Sequence, residues 1–357
     1  MLATAKTYTS HCFFGFFARD FLKASNEDMK KILVLGGTGF VGSHVCEKLT
    51  QLHWRVTVPT RQIASARDIQ MLPSLDVIET SVHDEAALTQ LVAGHDAVIN
   101  LIAILHGNQQ AFDRTHVELP KKIARACAAA GVTRLIHVSA LGADARNPDG
   151  APSMYLRSKG HGEVALQQAP LALTIFRPSV MFGAEDKFLN VFASLQKIFP
   201  VIPLAGSHAL FQPVWVEDVA NAIVHCLQDV YSHASIGQTF EACGPDVFTL
   251  RQLVELAGRL SGVNEGRGRR VIPLPTALGR LQARLMELAP GEPLMSRDNM
   301  DSMSLPNIAS GNLPGLQALG ITPAALAGIA AGYLGPDSGG RGLRSNLTAR
   351  RKTAGRF

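Results

Sequence analysis

Long apolar runs are absent from this 357-residue chain. No stretch reaches the roughly 18 consecutive apolar residues that a membrane-spanning helix requires. Cysteine is scarce: Cys12, Cys46, Cys127, Cys226 and Cys243 are odd in number and widely scattered. None forms a C-x-x-C pair and none stands at zinc-finger spacing from a histidine. That excludes a disulfide framework and a structural zinc module, and suits a reducing compartment. The histidines contain no H-E-x-x-H pattern, so no metal site is expected. Charged residues make up only 18% against 46% hydrophobic, which excludes a disordered chain and a coiled coil. No internal repeat is visible. At roughly 150 residues per domain, the length fits one large or two modest domains.

The net charge of +5 has one origin. The segment 336–357 holds Arg341, Arg344, Arg350, Arg351, Lys352 and Arg356 against the single acid Asp337, and accounts for the whole excess. The remainder is near neutral, whereas a folded nucleic-acid binder carries its basic stripe on the domain. No nucleic-acid partner is expected. Residues 335–357 read as a solvated, disordered basic tail, with contact to anionic lipid or an acidic partner as the alternative. Residues 1–28 read as an extension outside the fold. They lack the apolar core of a secretory signal, and Asp20, Glu27 and Asp28 do not suit a mitochondrial presequence. Met29 is the expected functional start, leading straight into M-K-K-I-L-V-L-G-G-T-G.

From there the pattern alternates. Strands are expected at Lys31–Leu35, Arg55–Val58, Leu75–Glu79, Ala97–Ile104, Arg134–Ser139 and Leu173–Arg177. Helices are expected at Gly42–Gln51, Glu85–Val92, Leu119–Ala130 (closed by Gly131) and Tyr155–Gln168. Beyond Pro178, prolines interrupt the pattern. Val214–Leu227 reads as one more helical unit, Thr239–Ala242 as a strand and Leu250–Leu260 as a helix, with Ser296 starting a short helix near Arg297. The expected fold is α/β: a Rossmann-type doubly wound parallel sheet over 29–230, with an insertion near 180–212. A smaller, partly discontinuous C-terminal α/β domain over 231–334 follows it.

Gly36-Gly37-Thr38-Gly39-Phe40-Val41-Gly42 follows the first strand and opens a helix. In a G-x-x-G-x-x-G spacing the first glycine allows the tight turn, the second lets backbone approach a pyrophosphate, and the third lets helix and strand pack closely. The helix N-terminus then offers its N–H groups to the phosphates. A glycine triplet alone is weak evidence; its place at the head of a βαβ series is the confirming context. At the end of the second strand an acid would bind the ribose 2′-hydroxyl of NAD. The chain has Val58-Pro59-Thr60-Arg61 there, and Arg61 suits a 2′-phosphate. NADP(H) is therefore expected over NAD(H). Tyr155 and Lys159 stand four apart on one helical face, where an ammonium lowers a phenol pKa toward the working range and the pair can donate a proton and anchor a ribose.

These segments, with I-N-L-I-A at Ile99–Ala103, L-I-H-V-S-A at Leu135–Ala140, F-R-P-S-V-M-F-G at Phe176–Gly183 and V-W-V-E-D-V-A at Val214–Ala220, resemble atypical or extended short-chain dehydrogenase/reductases (NAD-dependent epimerase/dehydratase type). Three longer stretches, 153–163, 176–190 and 211–220, are similar to a narrower group. It comprises the nucleotide-binding accessory subunits of respiratory complex I, the NADH:ubiquinone oxidoreductase, and their bacterial relatives. The likeness fades but continues to about residue 334. It implies a bound and often structural NADP(H), in a protein peripheral to the membrane on its cytoplasmic or matrix side, with respiratory-complex subunits as partners. It also implies that Gly36, Thr38, Gly39, Phe40, Val41 and Gly42 line the cofactor phosphates. Arg61 would read the 2′-phosphate, and Leu101, Ile102 and Ala103 border the cofactor. Tyr155 and Lys159 would meet the nicotinamide ribose, and Pro178 and Ser179 flank the nicotinamide.

The chain departs from the active pattern twice. Catalytic relatives carry a hydroxyl that polarises the substrate carbonyl; here Ser139 is the candidate for that catalytic role beside Tyr155 and Lys159, with Ala140 the alternative occupant of the position, in which case the donor is lost. An adenine-reading aspartate of many relatives is replaced by Ser81. Two functions follow as alternatives: an accessory or assembly subunit with a structural cofactor, or an NADP-dependent oxidoreductase or epimerase on a small carbonyl, sugar-nucleotide or quinone-pathway substrate. A redox-sensing regulator is a third class with no specific support.

Overall fold

A computed structural model describes residues 29–288 and 293–335. The extension 1–28, the start at Met29 as a boundary with it, and the basic tail beyond 335 lie outside the described residues. The first half alternates as its periodicity dictates: β1 (Lys31–Leu35), α1 (Phe40–Gln51), β2 (Arg55–Thr60), β3 (Leu75–Glu79), α2 (Glu85–Val92) and β4 (Ala97–Asn100). A turn of helix, α3 (Gln109–Phe112), then runs through a π-helical stretch, Asp113–Glu118, into α4 (Leu119–Ala130). Next come β5 (Arg134–Val138), α5 (Met154–Gln167) and β6 (Ala172–Pro178).

The second half is more broken. It contains β7 (Met181–Phe182), α6 (Leu189–Ile198), β8 (Val201–Leu204), β9 (Leu210–Phe211), β10 (Val214–Trp215), α7 (Val216–His225), α8 (Asp229–Ser235) and β11 (Thr239–Ala242). After these come β12 (Phe248–Thr249), α9 (Leu250–Leu260), β13 (Arg270–Pro273), α10 (Thr276–Glu287), α11 (Arg297–Ser302) and α12 (Leu326–Leu334).

Seven parallel strands form the central sheet, in the order β11-β6-β5-β4-β1-β2-β3. The order reverses between β1 and β4, and ligands bind at such a switch point beyond the carboxyl ends of the strands. Side chains alternate across the sheet. Ile32, Val34, Ile136 and Val138 pack with Val45 and Leu49 of α1 and Val219 and Ile223 of α7. Leu33, Leu35 and Leu135 pack with Leu88 of α2, Ile123 of α4 and Leu166 of α5. A separate core joins α6, α9 and α12 through Leu189, Ala193, Leu253, Ala257, Leu326 and Ala330.

Several boundaries differ from expectation, each for a local reason. Helix α1 begins at Phe40 rather than Gly42, with Gly39 as its extended N-cap. Strand β4 stops at Asn100 instead of reaching Ile104, because the Asn100 Oδ1 accepts the Ile102 N–H and turns the chain out of the sheet. The Gln109–Glu118 helical segment was not expected. It widens just before Pro120, which has no N–H for the His116 carbonyl. Against that same carbonyl lies Gly162, where any Cβ would come within 2.1 Å. Val214–Leu227 splits into β10 and α7. Strand β11 lies beyond residue 230, yet it supplies the edge of the main sheet beside β6. Among the described residues no helix is long and apolar enough to cross a membrane.

Candidate functional site

The glycine loop sits where β1 delivers it. Gly36 has φ +85°, the left-handed region that only glycine enters freely. A Cβ there would lie 3.2 Å from the backbone of Leu101 and Ile102, so the end of β4 closes one wall of the loop. At Gly42 a Cβ would lie 2.2 Å from the Gly36 carbonyl oxygen and 2.6 Å from Gly37 Cα. No side chain fits between helix and strand. Gly39 is exposed and caps α1 without any side-chain acceptor, and the first turn, Phe40-Val41-Gly42, holds no acid. The N–H groups of that turn are thus available to an anion with the helix dipole behind them, which is what a dinucleotide phosphate requires. Thr38 is half-buried in the same turn, and beyond β4 Leu101 and Ile102 are half-buried while Ala103 is exposed.

Arg61 is exposed and follows directly on β2. It shares its surroundings with Arg114 and Lys122: burial lowers the His83 pKa, and these three cations lower it further. Lys122 also donates to the His83 carbonyl at 2.6 Å. Arg114, on the π-helical stretch, carried no signal in the sequence, because only the tertiary fold brings it to the end of β3. Asp84, the first acid after β3, is committed to capping α2 through the N–H groups of Ala86 and Ala87.

Helix α5 holds Tyr155 and Lys159. Its start is secured twice: Ser153 Oγ accepts the Leu156 N–H, and the Asp298 carboxylate from α11 accepts the Met154 and Tyr155 N–H groups at 2.6 and 3.1 Å. Asp298 lies in the first turn of the short helix expected to start at Ser296. Its second role depends on a contact across 143 residues. Lys159 is fully buried and donates to the Val138 carbonyl at 3.1 Å, so it pins α5 to the end of β5. Burial lowers its pKa to about 8, with Glu163 opposing the shift. Glu163 is itself bonded bidentately to Arg177 of β6, at 2.9 and 2.5 Å.

The electrostatics of Tyr155 correct an expectation. Burial pushes its phenol above the usual tyrosine range rather than below it, and the Lys159 Nζ stands 6.0 Å from the ring centre, bonded elsewhere. The ring is fixed by edge contacts with Phe112 and His116. His116 is held neutral: its Nε2 accepts the Ile104 N–H, and its Nδ1 bonds Ser158 Oγ, which donates to the Tyr155 carbonyl. Burial and then the Lys159 and His137 charges lower the His116 pKa to about 2; burial and then Lys159 bring His137 to about 3.

At the β5 end, Ala140 packs in a small cluster with Ala151 and Leu156, and Tyr155 lies against that cluster. Ser139 Oγ is buried with no hydrogen-bond partner, as is His137 Nε2. An orphaned buried hydroxyl of this kind, just past the carboxyl end of β5 in a parallel sheet whose ligands bind beyond the strand ends, fits a polar dinucleotide ligand. Pro178 ends β6, and its carbonyl accepts the Leu141 N–H. Ser179 Oγ is committed to Asn307, donating to its Oδ1 at 2.6 Å. Asn307, which no sequence motif marked, thus braces the β6 end from the C-terminal segment.

Two further clusters are structural. His44 and Lys48 of α1 bond opposite oxygens of Glu217 on α7, at 2.8 and 2.5 Å. Burial pushes Glu217 up, but these partners outweigh it and hold the pKa at about 2. Although Glu47 completes a trio able to hold a cation, the Lys48 ammonium already neutralises the shared carboxylate. Asp186, in the loop between β7 and α6, is buried and accepts the Gly183, Phe188 and Asn190 N–H groups and the Tyr333 hydroxyl.

A sequence profile of an NAD(P)H-binding family matches residues 36–230, from the first glycine of the loop to the end of the expected Rossmann unit. The chain belongs to this NAD(P)H-binding family. Within it, the chain is 33% identical over 300 residues to NADH dehydrogenase [ubiquinone] 1 alpha subcomplex subunit 9 of Mus musculus, covering 82% of this chain and 76% of that protein. The Arabidopsis thaliana protein of the same name is 30% identical, over 84% and 76%. In fold, this NAD(P)H-binding chain is similar to a dTDP-glucose 4,6-dehydratase from Streptomyces venezuelae solved with NAD. The TM-score is 0.65 at 20% identity, over 85% of this chain and 95% of that one.

Proposed function

We propose that this NAD(P)H-binding protein is an accessory or assembly subunit of a respiratory NADH:ubiquinone oxidoreductase. Its dinucleotide, NADP(H) rather than NAD(H), serves structure rather than turnover, and it works peripherally at the cytoplasmic or matrix side of the membrane. The observation that carries this reading is Ala140, whose apolar side chain lies in the buried cluster against which Tyr155 packs, where carbonyl chemistry requires a hydroxyl donor. The raised Tyr155 phenol supports it, since a proton donor should titrate near the working pH. The alpha subcomplex subunit 9 relatives supply the partner class. In this role Gly36, Gly39 and Gly42 shape the phosphate cradle, and Lys159 holds α5 against β5.

A second reading rests on one observation, the unpartnered Ser139 hydroxyl just past the end of β5, where Lys159 pins the Tyr155 helix through the Val138 carbonyl. A bound nicotinamide would supply hydride chemistry to an oxidoreductase or epimerase there. The test is to purify the protein, identify any nucleotide released on denaturation, and add quinones or ketones to the reduced form. NADPH that is retained and stays reduced is the expected result. Turnover that disappears in Tyr155→Phe would replace the accessory reading with the enzymatic one.

Arg61, with Arg114 and Lys122 around His83, supports the preference for a 2′-phosphate. Charge-assisted bonds to one guanidinium contribute about 1.5–3 kcal/mol. Arg61→Ala is therefore expected to weaken NADPH binding about tenfold or more while changing NADH binding less than about threefold. Equal losses for the two nucleotides in a titration would remove Arg61 from cofactor selection.

A further inference from the structure

Helix α10 is inverted relative to an ordinary surface helix. Its inward face is made of small residues. Ala283 is fully buried, and Gly279 lies so close to Ala205 that a Cβ would come within 2.5 Å. The outward face carries Leu278, Leu281 and Leu285, with Leu288 just past the helix end, and these are 52%, 55%, 60% and 78% exposed. At about 100° per residue the four leucines fall within roughly a quarter-turn, on the side opposite Gly279 and Ala283. The apolar stripe that normally seals a helix to its core here faces away from the protein. Contiguous exposed apolar surface of this kind marks an interaction site.

Cations outnumber acids in the sequence flanking it. Residues 259–297 hold seven arginines against three glutamates. Glu287 at the helix end is bonded by Arg297, and Asp301 of α11 by Arg280. Arg284 lies exposed beside Leu285. The pattern recurs in the ribbon that feeds α10: exposed Ile272 follows exposed Arg270 in β13, and exposed Ile198 and Phe199 follow exposed Lys197 ahead of its partner strand β8. Large apolar side chains interleaved with cations are the complement of an anionic lipid interface, where the apolar groups enter the acyl boundary and the cations meet phosphates. A helix of 12 residues is about 18 Å long and lies along a bilayer rather than crossing it.

We propose that α10 is an interfacial helix, its leucine face seated in the headgroup–acyl boundary of an anionic phospholipid bilayer. The proposal extends the accessory-subunit reading by naming the surface that meets the membrane. It needs neither bound nucleotide nor a partner subunit.

The experiment is flotation of the full chain with vesicles of phosphatidylcholine alone and of phosphatidylcholine with phosphatidylglycerol. Binding to the anionic vesicles and not to the neutral ones is expected. In Leu281→Glu/Leu285→Glu the bound fraction should fall about tenfold or more, with circular dichroism and NADPH binding unchanged, since both leucines are already in water. A second full-length variant, Arg350→Gln/Arg351→Gln/Lys352→Gln, separates the tail from the helix and should keep most of the binding. The proposal is overturned if wild-type protein floats with neither vesicle, or if the leucine variant floats like wild type. It is equally overturned if the tail variant alone abolishes binding, or if light scattering shows a wild-type dimer that the leucine variant breaks, which would make the face a contact between copies. NADPH titration of the same samples keeps a failure of this proposal distinct from a failure of the nucleotide-binding assignment.

Discussion

Gly42→Ala is expected to abolish useful nucleotide binding, with affinity for NADPH falling roughly 100-fold, about 2.7 kcal/mol. The new Cβ would lie 2.2 Å from the Gly36 oxygen and 2.6 Å from Gly37 Cα, and both are backbone atoms that cannot swing aside. The loop has to move as a unit, and the N–H groups of Phe40, Val41 and Gly42 move with it. Gly328→Ala is the control. It lies within α12 with nothing within 4 Å of the added Cβ, so it should leave binding unchanged and stabilise by about 0.5–1 kcal/mol. Isothermal titration and thermal unfolding of the two variants decide the matter. Wild-type affinity in Gly42→Ala would mean that the cradle is not the phosphate site.

Removing the Glu163 carboxylate is expected to have the largest effect on stability. Glu163 is fully buried and Arg177 is 14% exposed, and breaking such a pair from one side leaves the guanidinium without its bonded carboxylate, with only the more distant charges of Asp144 and Glu241, at a cost of up to about 3–5 kcal/mol. Glu163→Gln should therefore lower the unfolding midpoint in denaturant markedly. It should also alter the pH dependence through Lys159, one helical turn away. The folded pKa of Lys159 is about 8 against an ordinary 10.5, so between those values the unfolded state binds more protons and stability rises with pH. Glu163 is the group that keeps this pKa from falling further. Without it the window opens at a lower pH, and the rise in stability should begin nearer neutrality. A variant whose midpoint and pH profile match wild type would remove Glu163 from the support of the Tyr155 helix.

The glycine loop and the strand–helix alternation of the first half were legible because their causes are local. Gly36, Gly39 and Gly42 are required by the path of one turn, and the period of apolar residues in β1, β2, β3 and α2 reflects burial on one sheet face or both. The Leu250–Leu260 helix was equally plain from its apolar period, and the structure closes its start with a Thr249–Gln252 capping box. Where side chains overrode periodicity, the reading missed. Ala97–Ile104 is continuous apolar sequence, but one amide side chain at Asn100 ends the strand halfway. The proline-rich second half concealed α6, β8, β13 and α10, whose partners lie far apart in the chain: β8 pairs with β13 across some seventy residues.

By itself the sequence determined that this protein has a parallel α/β sheet with a dinucleotide cradle at the end of β1, and that Tyr155 and Lys159 share a helix face. Steric limits on glycine and the periods of helix and strand operate within a few residues, so they can be read in order along the chain. The tertiary structure alone decided what those residues experience. Burial, which sums contributions from every element around a site, raises the Tyr155 phenol and neutralises His116. Contacts between distant segments set Asp298 on the start of α5, Asn307 on Ser179, and Ala140 in the cluster against which Tyr155 lies. The same is true of α10: its leucines would read as core from their spacing, and only the packing of Gly279 and Ala283 inward turns them toward solvent.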